Sequence, residues 1–183
     1  MRAIIRGSPA ISKRDRTMID PNSVTAQTGG CQCGALRFRA TKLRADAHVC
    51  YCRMCQKAGG NLFLAFVGVE EADFAWTRGT PGTFHSSPDV ARGFCPACGT
   101  PLSYRHAESS YLCLTIGSFD RPETIPLAFQ LGKAGRLPQL GQLAEVPDHG
   151  PIETTAPDFA RTVKTSKRQH PDHDTDSWPP GGR

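Results

Sequence analysis

Seven of the chain's eight cysteines fall into three tight groups: "CQC" at residues 31–33, "CYCRMC" at 50–55 and "CPAC" at 95–98. CxC and CxxC spacings bring thiolates close enough to share a metal ion, and in a reducing compartment they point to metal rather than disulfides. A structural zinc is closed by four protein ligands, whereas a zinc that does chemistry keeps a position for water or substrate. Cys31, Cys33, Cys95 and Cys98 suit the closed kind. Gly34 and Gly99 follow the second cysteine of each pair, and glycine allows the positive-φ turn that brings backbone amides toward the sulfurs. Those donors are needed because four thiolates on Zn²⁺ leave a formal charge of 2 − 4 = −2. Such an ion would tie together residues distant in sequence and contribute directly to folding.

Cys50, Cys52 and Cys55 have no fourth partner nearby in sequence. Cys113, in "YLCLTI", would complete a second four-thiolate site, but a lone strand cysteine more often packs than ligates. A three-thiolate zinc with an open fourth position is the preferred reading. Spacing alone leaves the partition open, since Cys31 and Cys33 could equally share an ion with Cys50 and Cys52.

The elements that must hold these thiols read as short strands. Gly (18) and Pro (15) are frequent, favouring turns over long helices. In "ALRFRAT", Leu36 and Phe38 alternate with Arg37 and Arg39, the period of a half-buried strand with its arginines in solvent. "NLFLAFVGV" is a continuous apolar run, which suits a central strand covered on both faces. "GTFHS", "ARGFC", "PLSYR", "YLCLTIGSF" and "IPLAFQL" follow, with Leu112, Leu114 and Ile116 on one face. One helical turn is predicted over residues 53–59, ended by Gly59 and Gly60. The expected architecture is mainly β, one domain over residues 25–150, with a flexible extension at 1–24 and a disordered tail at 151–183. Met18 is a candidate physiological start.

The net charge of +5 is concentrated in the N-terminal extension, where residues 1–20 hold five basic and two acidic side chains. The remainder is nearly balanced, so no phosphate-tracking surface is indicated and nucleic acid is not an expected partner. No apolar run approaches the roughly eighteen residues of a membrane span, and no secretory segment leads the chain. A cytoplasmic location is expected. Nucleophile-elbow, P-loop and dinucleotide fingerprints are absent.

Together, "GGCQCGALRF", "CYCRMCQKAGG", "RGFCPACGTPLSY" and "LTIGSFD" resemble the glutathione-dependent formaldehyde-activating enzyme family, which includes relatives of the centromere protein V type. The resemblance covers about residues 28–130. It implies an Mss4-like fold, an all-β unit of short antiparallel strands pinned by zinc. It also implies two Zn²⁺ ions, one structural at Cys31, Cys33, Cys95 and Cys98 and one catalytic at Cys50, Cys52 and Cys55. The activity implied is that of a carbon–sulfur lyase resembling S-(hydroxymethyl)glutathione synthase, with a thiol such as glutathione and an electrophile such as formaldehyde as partners. A homo-oligomer is compatible with this reading. Tyr51 stands where family members often carry His, and a phenol does not buffer protons near neutral pH. The segment after Asp120 also lacks the His and Trp pattern common in formaldehyde-acting members, so the substrate does not follow from the resemblance.

An anionic metal site gains from a nearby cation, and Arg53 and Lys57 are the candidates close in sequence. His48 is a candidate outer donor, though a satisfied strand histidine is the commoner role. Gly59-Gly60 and Gly117–Asp120 could shape a pocket mouth. His170, Asp172, His173, Asp174 and Asp176 resemble metal-binding material placed in a tail without geometry to enforce it. The rival to an enzyme is a zinc-stabilised β module that binds a protein or a nucleic acid, and it gains if Cys113 closes the second site.

Overall fold

The computed structural model describes residues 26–177; the expectations for the N-terminal extension and for Met18 fall outside them. Ten strands and four helices alternate with short 3₁₀ turns. The strands are β1 (Gln27–Gly30), β2 (Arg37–Ala40), β3 (His48–Cys50), β4 (Leu64–Glu70), β5 (Phe74–Arg78), β6 (Gly82–Ser87), β7 (Val90–Phe94), β8 (Pro101–His106), β9 (Tyr111–Thr115) and β10 (Phe129–Leu131). The helices are α1 (Arg53–Gly59), α2 (Gln139–Gln142), α3 (Ile152–Thr155) and α4 (Pro157–Ser166).

Seven strands form one sheet in the order β10-β3-β4-β9-β8-β7-β6, and β1-β2-β5 form a second. All pairings are antiparallel except β10 with β3. The mainly β, Mss4-like reading of the sequence therefore holds. The continuous apolar run became β4, an interior strand paired on both sides, because its Val67 and Val69 are fully buried. One apolar cluster joins the sheets: Phe38 of β2 with Val67, Leu102 and Leu114 of the large sheet. Phe38 meets Phe119 edge-on at 5.1 Å and Trp76 at 6.0 Å, geometry that adds to simple area burial.

Helix α1 forms where expected. Cys52 caps its start, and Gly60, at φ 57°, ends it in the left-handed conformation glycine tolerates.

Two expectations need correction. Arg37 is not a solvent-facing partner of Arg39 but is 2% exposed. Its Nη1 donates to Asp120 Oδ1 at 2.8 Å and its Nε to Asp174 Oδ1 at 2.9 Å. A register shift between Arg37 and Phe38 in the β2–β5 pairing breaks the simple alternation, and the carboxylates let the guanidinium be buried. The stretch from residue 151 also differs from the disorder expected of it. α4 stands with its side chains largely exposed, but the chain then returns to the β fold. The His170 amide donates to the Gln32 carbonyl at 2.7 Å, and His170 is 4% exposed. A few specific polar contacts hold this return, and composition cannot register them.

Candidate metal centres and an adjoining cavity

The cysteines assemble into two groups. In the first, the sulfurs of Cys31, Cys33, Cys95 and Cys98 all lie within 4.8 Å of one another. Cys31 and Cys33 sulfurs are 3.5 Å apart, and Cys33 and Cys95 sulfurs 3.9 Å. With Zn–S bonds of about 2.3 Å, a tetrahedron has edges of about 3.8 Å, so the group fits one zinc ion. Its two halves are built alike. Gly34 and Gly99 both have φ 79°, and their amides donate to the carbonyls of Cys31 and Cys95 at 3.0 and 2.8 Å. The Leu36 amide reaches Cys31 Sγ at 3.2 Å, and Thr100 Oγ1 lies 3.1 Å from Cys98 Sγ. These are the outer donors a four-thiolate ion requires. Burial pushes the Cys33 thiol up to about 12. Burial acts the same way on Cys98, but Thr100 and backbone amides outweigh it and pull that thiol down to about 6. One thiolate is thus ready to receive a cation while its neighbour ionises only with the metal's help.

The second group is Cys50, Cys52 and Cys55, also mutually within 4.8 Å. Cys50 ends β3, Cys52 caps α1 and Cys55 lies in its first turn, where the Cys55 amide donates to Cys52 Sγ at 3.4 Å. Among the described residues no fourth Cys, His, Asp or Glu joins them. Cys113 is elsewhere, opposite Gly68 and Tyr104 in the large sheet, and burial pushes its thiol up to about 11. Among the described residues it joins neither thiol group. Burial raises the Cys55 thiol to about 12 despite a guanidinium beside it. For Cys52 burial is outweighed by hydrogen bonds with Cys55 and Cys50 and by the charge of Arg92, so its thiol is lowered.

That guanidinium belongs to Arg92 of β7, a residue the sequence reading passed over. Arg92 is 8% exposed. Its Nη2 lies 3.6 Å from Cys55 Sγ, its Nε donates to Ser86 Oγ at 3.2 Å, and its plane sits 5.1 Å from the Tyr104 ring. Arg53 and Lys57, the cations favoured by proximity in sequence, are exposed, and Arg53 turns to Gln56 Oε1 at 3.5 Å. The one available signal was position: Arg92 lies on the strand running into Cys95, which delivers it to a metal-rich region.

The segment after Asp120 flanks this second group. β10 pairs with β3 so that Leu131 lies opposite Cys50, and the Tyr51 amide donates to the Leu131 carbonyl at 3.0 Å. Tyr51 is buried, with its phenol on Gln130 Oε1 at 3.1 Å. Buried Gln56 donates from Nε2 to the carbonyls of both Tyr51 and Gly135 at 2.9 Å, clamping the loop after β10 over the cysteines. A Cβ on Gly135 would come 2.8 Å from the Tyr51 carbonyl, so only glycine fits there without displacement.

A cavity of about 400 Å³ opens between α1 and β6–β8, lined in part by Met54, Lys57, Phe84 and Arg92. A second, of about 440 Å³, adjoins the four-cysteine group, between Arg37, Gly117–Asp120 and the returning tail. Gly117–Asp120 thus shape a cavity at the closed group and not at the open one. His48 takes the structural role: its ring stacks on Phe129 at 4.8 Å and Nδ1 bonds the Asp46 carbonyl at 2.8 Å. Of the tail residues, His170 and Asp174 are spent on polar contacts with Thr175 and Arg37. With Asp172, His173 and Asp176 they form no metal cluster among the described residues.

A β fold tied at two points by groups of thiols defines a class of metal-pinned protein, in which both groups could hold ions and the all-sulfur donors suit zinc. The family described as glutathione-dependent formaldehyde-activating enzyme matches residues 26–130, and the chain belongs to it. Among solved structures, a Rhodobacter sphaeroides protein is similar, with a TM-score of 0.47 and 20% identity over 56% of this chain and 98% of that one. No curated protein matches the chain.

Proposed function

We propose that the protein is a zinc-dependent carbon–sulfur lyase acting on thiol adducts, with Cys50, Cys52 and Cys55 holding the working ion and the four-cysteine group a structural one. Family membership supports the reaction class, and glutathione with formaldehyde is the reactant pair it suggests. The observation that carries the reading is the three-cysteine group itself: its sulfurs converge without a fourth side-chain ligand. A zinc held by three thiolates would supply a Lewis acid able to take up a thiol as thiolate or to polarise a carbonyl. In the synthetic direction the thiol sulfur adds to the carbonyl carbon and the thiol proton ends on the carbonyl oxygen; the reverse regenerates thiol and aldehyde.

The chain's own residues set the terms for that chemistry. Three thiolates around Zn²⁺ leave 2 − 3 = −1, and Arg92, buried against Cys55, opposes the charge where water screens little. Gln56 and the loop it clamps fix the cysteine segment, so the sulfurs are positioned before any reactant arrives. We place the protein in the cytoplasm, where reducing conditions keep thiols available for metal; no described helix is long and apolar enough to cross a membrane. We take residues 25–150 as the working unit.

The test is to follow adduct formation between formaldehyde and a panel of thiols, glutathione and an aryl mercaptocarboxylate among them, with purified, zinc-loaded protein. Acceleration over the spontaneous reaction with at least one thiol, abolished by Cys52→Ser, is the expected result. A rate equal to the spontaneous one with every thiol would sink the lyase reading and favour the binding module.

A further inference from the structure

We propose that the cavity between α1 and β6–β8 seats the organic body of the substrate, and that this body is an apolar monoanion, an aryl or branched-alkyl carboxylate bearing the reacting thiol or aldehyde. The inference rests on the three-cysteine group being the working site. At about 400 Å³ the cavity is in the usual range for small-molecule sites. Its walls carry Leu64, Phe66, Phe84 and Phe94, and among the described residues no Asp or Glu lines it. The charged groups the described residues place at the wall are Lys57 and Arg92. Arg92 connects the two places, because it lines the cavity and its Nη2 lies 3.6 Å from Cys55 Sγ.

The lining favours one ligand chemistry. A carboxylate entering here meets Lys57 and Arg92 at a wall without Asp or Glu among the described residues, and charge-assisted hydrogen bonds to such cations are strong. A glutathione-like tripeptide brings an ammonium group as well, and this lining offers it no carboxylate; a charge desolvated without a partner is costly. At the rim, Phe84 and Met54 are 61% and 58% exposed. Both line the same cavity, so an apolar ligand seated there would take this surface out of water.

The experiment is calorimetric titration of the zinc-loaded full chain with 3-phenylpropionate, with 3-phenylpropanol and glutathione as comparators. Phenylpropionate is expected to bind, with about tenfold weaker affinity for phenylpropanol and for phenylpropionate on Phe84→Ser. Phe84 is largely exposed, so this variant should keep its fold; an unchanged zinc content in native mass spectrometry checks that. Equal affinity for the acid and the alcohol, no heat with either, or displacement of phenylpropionate by glutathione would overturn the assignment. Binding is read without turnover, so the two proposals fail separately: absent lyase activity with intact phenylpropionate binding removes the reaction and keeps the cavity's ligand class.

Discussion

At the four-cysteine group, two Cys-Gly turns with the same φ of 79° face each other across the gap between β1–β2 and β7–β8. Each half supplies two sulfurs, and backbone donors cross between the halves, the Cys33 amide reaching Cys98 and the Gln32 amide donating to Thr100 Oγ1. At the three-cysteine group a strand end and a helix start supply the sulfurs, and the charge is met by one long side chain, Arg92, from the far end of the same sheet. The first arrangement joins turns 62 positions apart, which suits a clasp that ties the fold together. The second takes its sulfurs from neighbouring residues of β3 and α1, and gains its outer charge from β7 only once the sheet is complete. The two groups are built from the same residue type, and they differ in ligand number and in the source of the outer charges.

The largest effect expected from this contrast is on folding. Cys95→Ser removes a ligand from the clasp, and structural zinc binding is worth on the order of 10 kcal/mol. The expected result is loss of cooperative unfolding by circular dichroism and loss of both ions. Cys52→Ser should instead leave a folded protein that carries one zinc in native mass spectrometry. Equal damage from the two substitutions would erase the distinction.

Next in size is the buried pair Arg37–Asp120, which lies on the clasp side. Thr28 and Arg37 both donate to Asp120. Burial pushes the Asp120 carboxyl up, but these donors outweigh it and hold the carboxyl below its ordinary range. Removing one partner of a buried pair costs about 3 kcal/mol, which is the loss expected for Asp120→Asn in urea at neutral pH. The carboxyl's folded value is depressed, so its stabilisation is present above the unfolded carboxylate range, near about 3.9, and is lost as pH falls through the folded value. The gap between wild type and Asp120→Asn should therefore shrink in acid. A gap that does not depend on pH would show that the pair acts through shape alone.

Arg92→Met comes third. It removes a charged donor from Cys55, and a hydrogen bond to a charged group is worth about 2 kcal/mol. Competition with a chelator should show the open-site zinc held more than about tenfold less tightly, with the clasp zinc unchanged. An effect on both ions would mean that Arg92 serves the sheet and not the site.

How far the sequence revealed these regions follows from how local their determinants are. The clasp was legible because its signal is a short spacing plus glycine. The three-cysteine group, α1 and its Gly60 ending, and the interior strand β4 were legible for the same reason. Arg92 and Arg37 were not, because a buried arginine is recognised by its partner, and Cys55 and Asp120 lie 37 and 83 positions away. Proximity in sequence instead favoured Arg53 and Lys57, whose helix turns them outward. The returning tail was hidden similarly: its polar composition is that of a solvated segment, while its attachment depends on His170 meeting the Gln32 carbonyl and Asp174 meeting Arg37.

The smallest expected effect is the one that most sharply divides the two functional classes. Cys113 sits in β9 opposite Gly68, outside both thiol groups, and burial pushes its thiol up to about 11. Exchange of its sulfur for a hydroxyl should cost no more than about 1 kcal/mol, the ordinary size for a half-buried position without a network. Cys113→Ser should therefore retain two zinc ions and whatever thiol-addition rate the wild type shows. Loss of one ion in this variant would mean that the large sheet rearranges to bring a fourth sulfur to Cys50, Cys52 and Cys55. That would turn the open group into a second clasp and leave no position for a reactant, so one sulfur separates an enzyme from a binding module.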